Sequence, residues 1–201
     1  MLRVGLTGGL GSGKSFVGHA LADLGCLLIQ SDDLGRQVQE PGGEAFEGIV
    51  REFGPEILTG QGVIDRRRLG AEVFAHPDRL KQLNALVHPF VFARQRKLQS
   101  DFFALHPDGI TVTEAAILIE VGSYRDYDRL IVAFCRPEQQ VERAMARDRL
   151  TREEVLDRMR QQMPLEEKLK YADFVVDTSG PKAATLAQTE AVYHSLRSLN
   201  L

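Results

Sequence analysis

The run Gly8-Gly9-Leu10-Gly11-Ser12-Gly13-Lys14-Ser15 has the residue types and order needed to hold a polyphosphate. Glycines let successive backbone N–H groups turn toward an anion, and a following helix offers the positive end of its dipole. Lys14 is spaced to reach the β- and γ-phosphates of ATP, and the Ser15 hydroxyl to ligate Mg2+. The pattern G-x-x-x-x-G-K-[ST] carries this meaning only between a strand and a helix. Both are expected here, because residues 2–7 form a short apolar run and 16–24 are helix-compatible. Gly8, Gly9, Gly11, Ser12, Gly13, Lys14, Ser15 and Phe16 are therefore the nucleotide-binding candidates, Phe16 through its backbone N–H.

Binding a nucleotide is not yet transferring its phosphoryl group. Asp32 and Asp33 follow the second expected strand, where a carboxylate can orient an attacking hydroxyl and accept its proton. Capping the helix at Leu34 is the other use for one of them. Arg143, Arg147, Arg149 and Arg152 form a basic stretch, and Arg143 or Arg147 could neutralise charge on the transferring group from a mobile lid. Surface pairing with acidic neighbours is the plainer use of any one of them. His88 precedes Pro89, so it either contacts a ligand or marks a break between helices. Arg66-Arg67-Arg68 reads as a solvated helix face ahead of an anion pocket.

These residues need a frame. Strands are expected over 2–7, 26–29, 110–114, 130–135 and 173–176, with helical segments between them. Alternation of this kind implies α/β architecture, a five-stranded parallel sheet covered on both faces. Ligands then bind beyond the carboxyl ends of the strands. About 80 residues separate the second strand from the third, too many for one crossover helix. Helices are expected there over 43–53, 66–74 and 77–103, the last interrupted at His88-Pro89. A second helical excursion covers 137–171, with a capping box at Thr151-Arg152-Glu153-Glu154. The chain closes on an amphipathic helix over 181–199, with Leu186, Tyr193 and Leu196 on one side. The expected division is a nucleotide-binding core (1–31, 106–136, 172–201), a helical substrate-binding insertion (32–105) and a helical lid (137–171).

Composition sets the outer bounds. The 201 residues carry a net charge of −3, which argues against a broad nucleic-acid-binding face. Hydrophobic residues are 43 % and charged residues 26 %, an ordinary soluble balance. Cys26 and Cys135 lie in apolar runs without metal-binding spacing, as expected of buried free thiols in a reducing compartment. No apolar stretch approaches a membrane span and no signal peptide is apparent, so a cytoplasmic protein is expected.

Taken together, the residues resemble the dephospho-CoA kinase family, over nearly the whole chain. The segment 5–15 is similar to the family's N-terminal signature, and Ser31-Asp32-Asp33-Leu34-Gly35-Arg36-Gln37-Val38 to the segment holding its catalytic Asp, which falls on Asp32. Segments 53–58 and Ile64-Asp65-Arg66, together with Val73-Phe74 and Leu86-Val87-His88-Pro89, resemble its CoA-binding insertion. Ile117-Leu118-Ile119-Glu120 resembles the motif after its third strand; Arg143, Arg147, Gln162, Lys168 and Ala172-Asp173 resemble its lid and the approach to its last strand. The resemblance implies a P-loop NTPase fold and phosphorylation of the 3′-hydroxyl of dephospho-CoA with ATP and Mg2+, the last step of coenzyme A synthesis. It implies a monomer or small homo-oligomer with Asp32, Asp65, Arg66, His88 and Glu120 on the substrate. Four places depart from the family pattern: Gln30 for the first residue of Asp-x-Asp, Phe16 for Thr, the run Glu114-Ala115-Ala116 where members often carry Pro before Leu-Leu-x-Glu, and Thr178-Ser179-Gly180 for Asn-x-Gly.

Two other readings share the loop. Another small-molecule P-loop kinase would also need an acid and an arginine lid, although the long insertion favours a large acceptor. A GTPase-like switch would need Asp-x-x-Gly after the third strand and Asn-Lys-x-Asp. The first pattern occurs at 32–35 and 177–180, neither of them after the third strand, and the second is absent. A nucleotide-gated assembly protein would bind ATP without phosphorylating an acceptor.

Overall fold

The apolar runs build a sheet in the order β2-β3-β1-β4-β5. Its strands are β1 (Leu2–Gly8), β2 (Leu27–Gln30), β3 (Ile110–Glu114), β4 (Arg129–Phe134) and β5 (Phe174–Asp177), and every pairing is parallel. The helices are α1 (Lys14–Asp23), α2 (Ser31–Gln37), α3 (Phe46–Phe53), α4 (Arg66–Ala75), α5 (Pro77–Leu105), α6 (Pro137–Asp148), α7 (Arg152–Arg160), α8 (Leu165–Lys168) and α9 (Lys182–Leu199). This computed structural model describes residues 1–199, apart from the side chains of Phe74, Ala75 and Pro77. By its contacts the chain groups into two compact units, residues 1–30 with 99–201, and residues 31–98. The excursion 137–171 groups with the first unit.

In the first unit, side-chain alternation sorts the strands between two cores. Val4 and Leu6 of β1, Ile110 and Val112 of β3, and Ile131 and Ala133 of β4 pack with Val17 and Leu21 of α1 and Val192 and Leu196 of α9. On the other parity, Leu130 and Val132 pack with Leu118, Ile119 and Leu165. The sheet is thus the middle of three layers, with β1 at its centre. A smaller core of Val141, Ala144 and Val155 joins α6 to α7.

Several boundaries differ from the sequence reading. The last strand begins at Phe174 because the Asp173 carboxylate turns inward and accepts the Leu130 N–H at 2.7 Å. Cys26 and Cys135 flank their strands, and both are buried free thiols. The C-terminal helix begins after Pro181 and buries Thr185, Thr189, Val192 and Leu196; Leu186, placed on the inner side by sequence, is 46 % exposed. The capping box at Thr151 is present as expected.

In the second unit, α3 starts at Phe46. Gly43 and Ala45 donate their N–H groups back to Glu40 and Val38, which holds 43–45 in a turn. The break expected at His88-Pro89 does not occur, since α5 runs on through Pro89. A proline there removes the hydrogen bond to the carbonyl four residues earlier. That carbonyl belongs to Ala85, an exposed residue, while Val87 and Val91 are buried.

Candidate active site

The phosphate loop leaves β1 at Gly8 and enters α1 at Lys14, the strand–loop–helix context its pattern demands. Gly11 and Gly13 have φ of 71° and 81°, in the left-handed region that favours glycine. A side chain at Gly11 would also start 2.4 Å from the Gln140 carbonyl oxygen. The N–H groups of Phe16 and Val17 close onto the Gly13 carbonyl at 3.0 and 3.3 Å. Phe16 therefore uses the donor assigned to it from sequence within the turn, and its ring faces Lys182 Nζ at 5.8 Å. Lys14 and Ser15 open the helix, where N–H groups have no intrahelical acceptor.

The apex of the loop is gripped from the excursion 137–171. Leu10 packs on the small core of α6 and α7. Its N–H donates to Gln162 Oε1 at 3.2 Å, and its carbonyl accepts from Gln140 Nε2 at 2.8 Å. Gln162 was visible in the sequence through the family resemblance. Gln140 had no signal, because one glutamine in a polar helix matches no pattern.

Where α1 begins, the Ser15 hydroxyl donates to Glu114 Oε1 at 2.6 Å, and Gln30 Nε2 donates to Glu114 Oε2 at 3.2 Å. Glu114 ends β3 and is buried, 6 % exposed. The parallel pairing of β3 with both β1 and β2 brings these side chains together. From sequence, Glu114 is only the last residue of the third expected strand. Among the described residues no cluster of three or more His, Cys, Asp or Glu is placed to hold a metal ion. Mg2+ on a nucleotide needs only one or two protein oxygens, the rest coming from phosphates and water. A hydroxyl and a carboxylate in contact at the end of the loop fit that demand.

The remaining candidates of this unit are engaged. Arg143 donates through Nη1 and Nη2 to Thr178 Oγ1 and O, at 3.0 and 2.7 Å. Arg147 pairs with Asp148 at 2.7 Å, and Arg158 also approaches that carboxylate. Glu120 accepts from the Met163 N–H at 3.0 Å and pairs with Lys168 Nζ at 2.9 Å. Lys168 is fully buried and donates to the Ala116 carbonyl at 2.5 Å, which also accepts from Thr7 Oγ1 at 3.1 Å. Desolvation pushes the Lys168 ammonium below the usual lysine range, Glu120 opposes that shift, and the Lys14 charge adds to it.

The other candidates belong to the second unit. Asp32 is exposed in the first turn of α2, and Asp33 pairs with Arg36 at 2.8 Å. Asp65 is the N-cap of α4, accepting from the Arg67 and Arg68 N–H groups at 2.9 and 3.2 Å. Arg66 follows it on the exposed start of that helix. Arg68, read from sequence as solvated, donates to the Glu56 and Leu58 carbonyls at 3.0 Å each. It lines a cavity of about 480 Å3 with Phe53, Glu72 and Arg79. His88 is half-buried beside Phe92, and burial holds its imidazole below its ordinary value. Val73 is buried; the Phe74 side chain lies outside the described residues.

Comparison with known proteins gives this geometry its family. Residues 2–183 match the family model described as dephospho-CoA kinase. A dephospho-CoA kinase of Syntrophus aciditrophicus is 39 % identical over 98 % of this chain and 83 % of its own length. One of Aquifex aeolicus is 37 % identical over 98 % of both. Among solved structures, a Thermus thermophilus protein superposes with a TM-score of 0.84 at 34 % identity, covering 96 % of each chain. Dephospho-CoA kinase from Campylobacter jejuni has a TM-score of 0.70 at 26 % identity, covering 99 % and 98 %. A shikimate kinase from Acinetobacter baumannii, at 17 % identity and a TM-score of 0.51, shares the fold. With a family model spanning nearly its whole length and full-length relatives of the same name, the chain belongs to the dephospho-CoA kinase family.

Proposed function

We propose that this chain moves the γ-phosphoryl group of ATP to the 3′-hydroxyl of dephospho-CoA, using Lys14, Ser15, Glu114 and Asp32. The observation that carries the site is the phosphate loop between β1 and α1, with Ser15 Oγ 2.6 Å from the buried Glu114 carboxylate. The loop N–H groups and Lys14 hold the β- and γ-phosphates. Ser15 ligates Mg2+ and Glu114 orients it; the ion, when bound, neutralises charge on the phosphate oxygens. Asp32 orients the acceptor hydroxyl and takes its proton as the new O–P bond forms and the bond to the β-phosphate oxygen breaks, releasing ADP. The insertion 32–105 supplies the acceptor site, with Arg66 and His88 among its contacts. The segment 137–171 acts as lid, with Arg147 able to close over the transferring group. Glu120 serves by positioning Lys168 and Met163, its observed partners. Net charge of −3 supports a small-molecule enzyme without a nucleic-acid partner, and we propose that it works in the cytoplasm as a monomer or small homo-oligomer.

No helix of the described residues is long and apolar enough to cross a membrane. The test is an acceptor screen with purified protein, ATP and Mg2+, comparing dephospho-CoA with AMP, adenosine, shikimate and no acceptor, with products identified by mass. Phosphate on dephospho-CoA alone is expected; transfer to another acceptor, or none, refutes the proposal. Asp32→Asn should leave ATP binding near normal and collapse turnover. Near-normal turnover would remove Asp32 from its role.

A further inference from the structure

From sequence, Arg143 or Arg147 is the candidate for the transferring phosphoryl group. The Arg143 guanidinium donates to Thr178, through Nη1 to the hydroxyl and Nη2 to the carbonyl. Thr178 follows β5 and is buried, 5 % exposed. Its hydroxyl lies 2.8 Å from the Ser12 carbonyl and 3.1 Å from the Phe134 carbonyl. The Phe134 oxygen also accepts the Thr178 N–H at 2.7 Å, and the Ser12 oxygen is the nearer acceptor for the hydroxyl proton. A donor as polar as guanidinium on the same oxygen strengthens that donation. The Thr178 side chain also closes on Gly13, where a β-carbon would stand 3.0 Å from the hydroxyl oxygen and 3.2 Å from the methyl. Ser12 and Gly13 directly precede the N–H groups of Lys14 and Ser15, so whatever fixes them fixes the phosphate-binding donors.

We infer that Thr178 is a positioning residue that couples Arg143 to the phosphate loop: Arg143 orients the Thr178 hydroxyl, and that hydroxyl holds the Ser12–Gly13 peptide where the loop binds the β-phosphate. Arg143 then supports nucleotide binding through Thr178, without touching the nucleotide. The inference rests on the nucleotide reading of the loop given above. Thr178 stands where the family pattern carries Asn, and a short β-branched hydroxyl suits the position because it satisfies Ser12 while its methyl fills the space left by Gly13.

The test is equilibrium binding of ATP, with and without Mg2+, to full-length wild type, Thr178→Val, Thr178→Ser, Arg143→Ala and Thr178→Val/Arg143→Ala, with thermal midpoints beside each. Thr178→Val keeps the shape and removes the hydroxyl. It should raise the ATP Kd by about 10-fold, the order expected when a buried hydrogen bond is lost and its partners stay unpaired. Thr178→Ser should stay within about 3-fold of wild type, since it restores the donor. Arg143→Ala should weaken binding in the wild-type background and add little in the Thr178→Val background, the non-additivity of residues acting through one another. An undiminished Arg143→Ala loss in the Thr178→Val background would show Arg143 acting on the nucleotide independently and overturn the inference. So would a Thr178→Val protein with wild-type affinity. If Thr178→Val fails to fold, Arg143→Ala still decides: wild-type ATP affinity in that variant overturns the coupling. Lys14→Ala separates the two levels. Unchanged affinity there refutes the loop reading itself, whereas a loss there with no effect at Thr178 refutes the coupling alone.

Discussion

Removing the charge of Lys168 tests the heaviest electrostatic commitment in the fold. The side chain is fully buried, and its Glu120 partner keeps 21 % of its side-chain surface. Burial is the largest single influence on the ammonium and depresses it against the opposing pull of Glu120, so desolvation of the lysine weighs heavily against attraction within the pair. Such a pair adds little beyond an apolar pair of the same shape, yet breaking it from one side is costly. Lys168→Met keeps the chain length and leaves Glu120 with the Met163 N–H and the Ala116 carbonyl without its ammonium. Severing a buried pair costs about 3–5 kcal/mol, and the partial exposure of Glu120 places this case near ~3 kcal/mol. For a chain of this size that is a fall of roughly 6–12 °C in the thermal midpoint. The assay is urea unfolding of wild type, Lys168→Met, Glu120→Gln and the double variant. Glu120→Gln keeps an acceptor for Met163 but leaves the ammonium without a counter-charge, so it too should destabilise. The double variant, free of unpaired charge, should be more stable than the sum of the single losses by about 1.5 kcal/mol or more. A Lys168→Met loss below about 1 kcal/mol, or strict additivity, would refute the reasoning.

Burial pushes the Cys26 thiol from 9.0 up to about 12, so the unfolded chain ionises first. Its stabilising contribution is full below pH 9.0 and is lost as pH rises toward about 12. The loss is ~1.4 kcal/mol per pH unit, and unfolding of Cys26→Ala should show a correspondingly flatter alkaline limb than wild type; parallel profiles would contradict this. His88 shifts the other way. Its folded form stays neutral below the pH at which the unfolded imidazole protonates, so stability should fall on acidification from about 6.5, and His88→Gln should reduce that slope in unfolding at a series of pH values. Asp65→Ala should cost about 1 kcal/mol of stability through the lost cap of α4. The KM for dephospho-CoA should hold in that variant, and a raised KM at unchanged stability would give Asp65 a substrate role instead. Glu114→Gln should raise the Mg2+ concentration for half-maximal activity by about 10-fold or more, measured by Mg2+ titration at fixed ATP, where an unchanged midpoint would remove Glu114 from the metal site.

The phosphate loop was legible because its function is written in backbone geometry. Left-handed φ at Gly11 and Gly13 and a helix-opening Lys14 require particular residues at fixed spacing. The parallel sheet was legible for a similar reason, since strands buried on both faces must be short apolar runs. What spacing does not carry is which strand lies beside which. Glu114 reaches Ser15 because β3 pairs with β1, and the two residues are far apart in the chain. Gln140, Thr178 and Lys168 act in the same way, through long-range side-chain contacts. Errors in the helices came from local rules overridden by surroundings. Pro89 breaks no helix when the residue whose carbonyl it orphans is exposed and its neighbours Val87 and Val91 are buried. Leu186 stays outside because Thr185 and Thr189 occupy the inward face of α9, Thr189 donating its hydroxyl to the Thr185 carbonyl at 2.8 Å.

Two of the departures from the family pattern meet again around the loop. On one side Gln30 donates to Glu114, which accepts from Ser15; on the other Arg143 and Thr178 hold Ser12. A neutral donor at position 30 suits this arrangement. An acidic side chain there would face the Glu114 carboxylate, and like charges in contact cannot both ionise freely. It would also remove the donor that turns Glu114 toward Ser15. With glutamine at that position, one buried carboxylate is left beside the Ser15 hydroxyl and its orientation is fixed from behind. The same economy holds at Thr178, where a hydroxyl replaces an amide and joins α6 to the loop. Two residues that looked like gaps in a motif thus act beside the phosphate loop, Gln30 by orienting the Glu114 partner of Ser15 and Thr178 by holding Ser12.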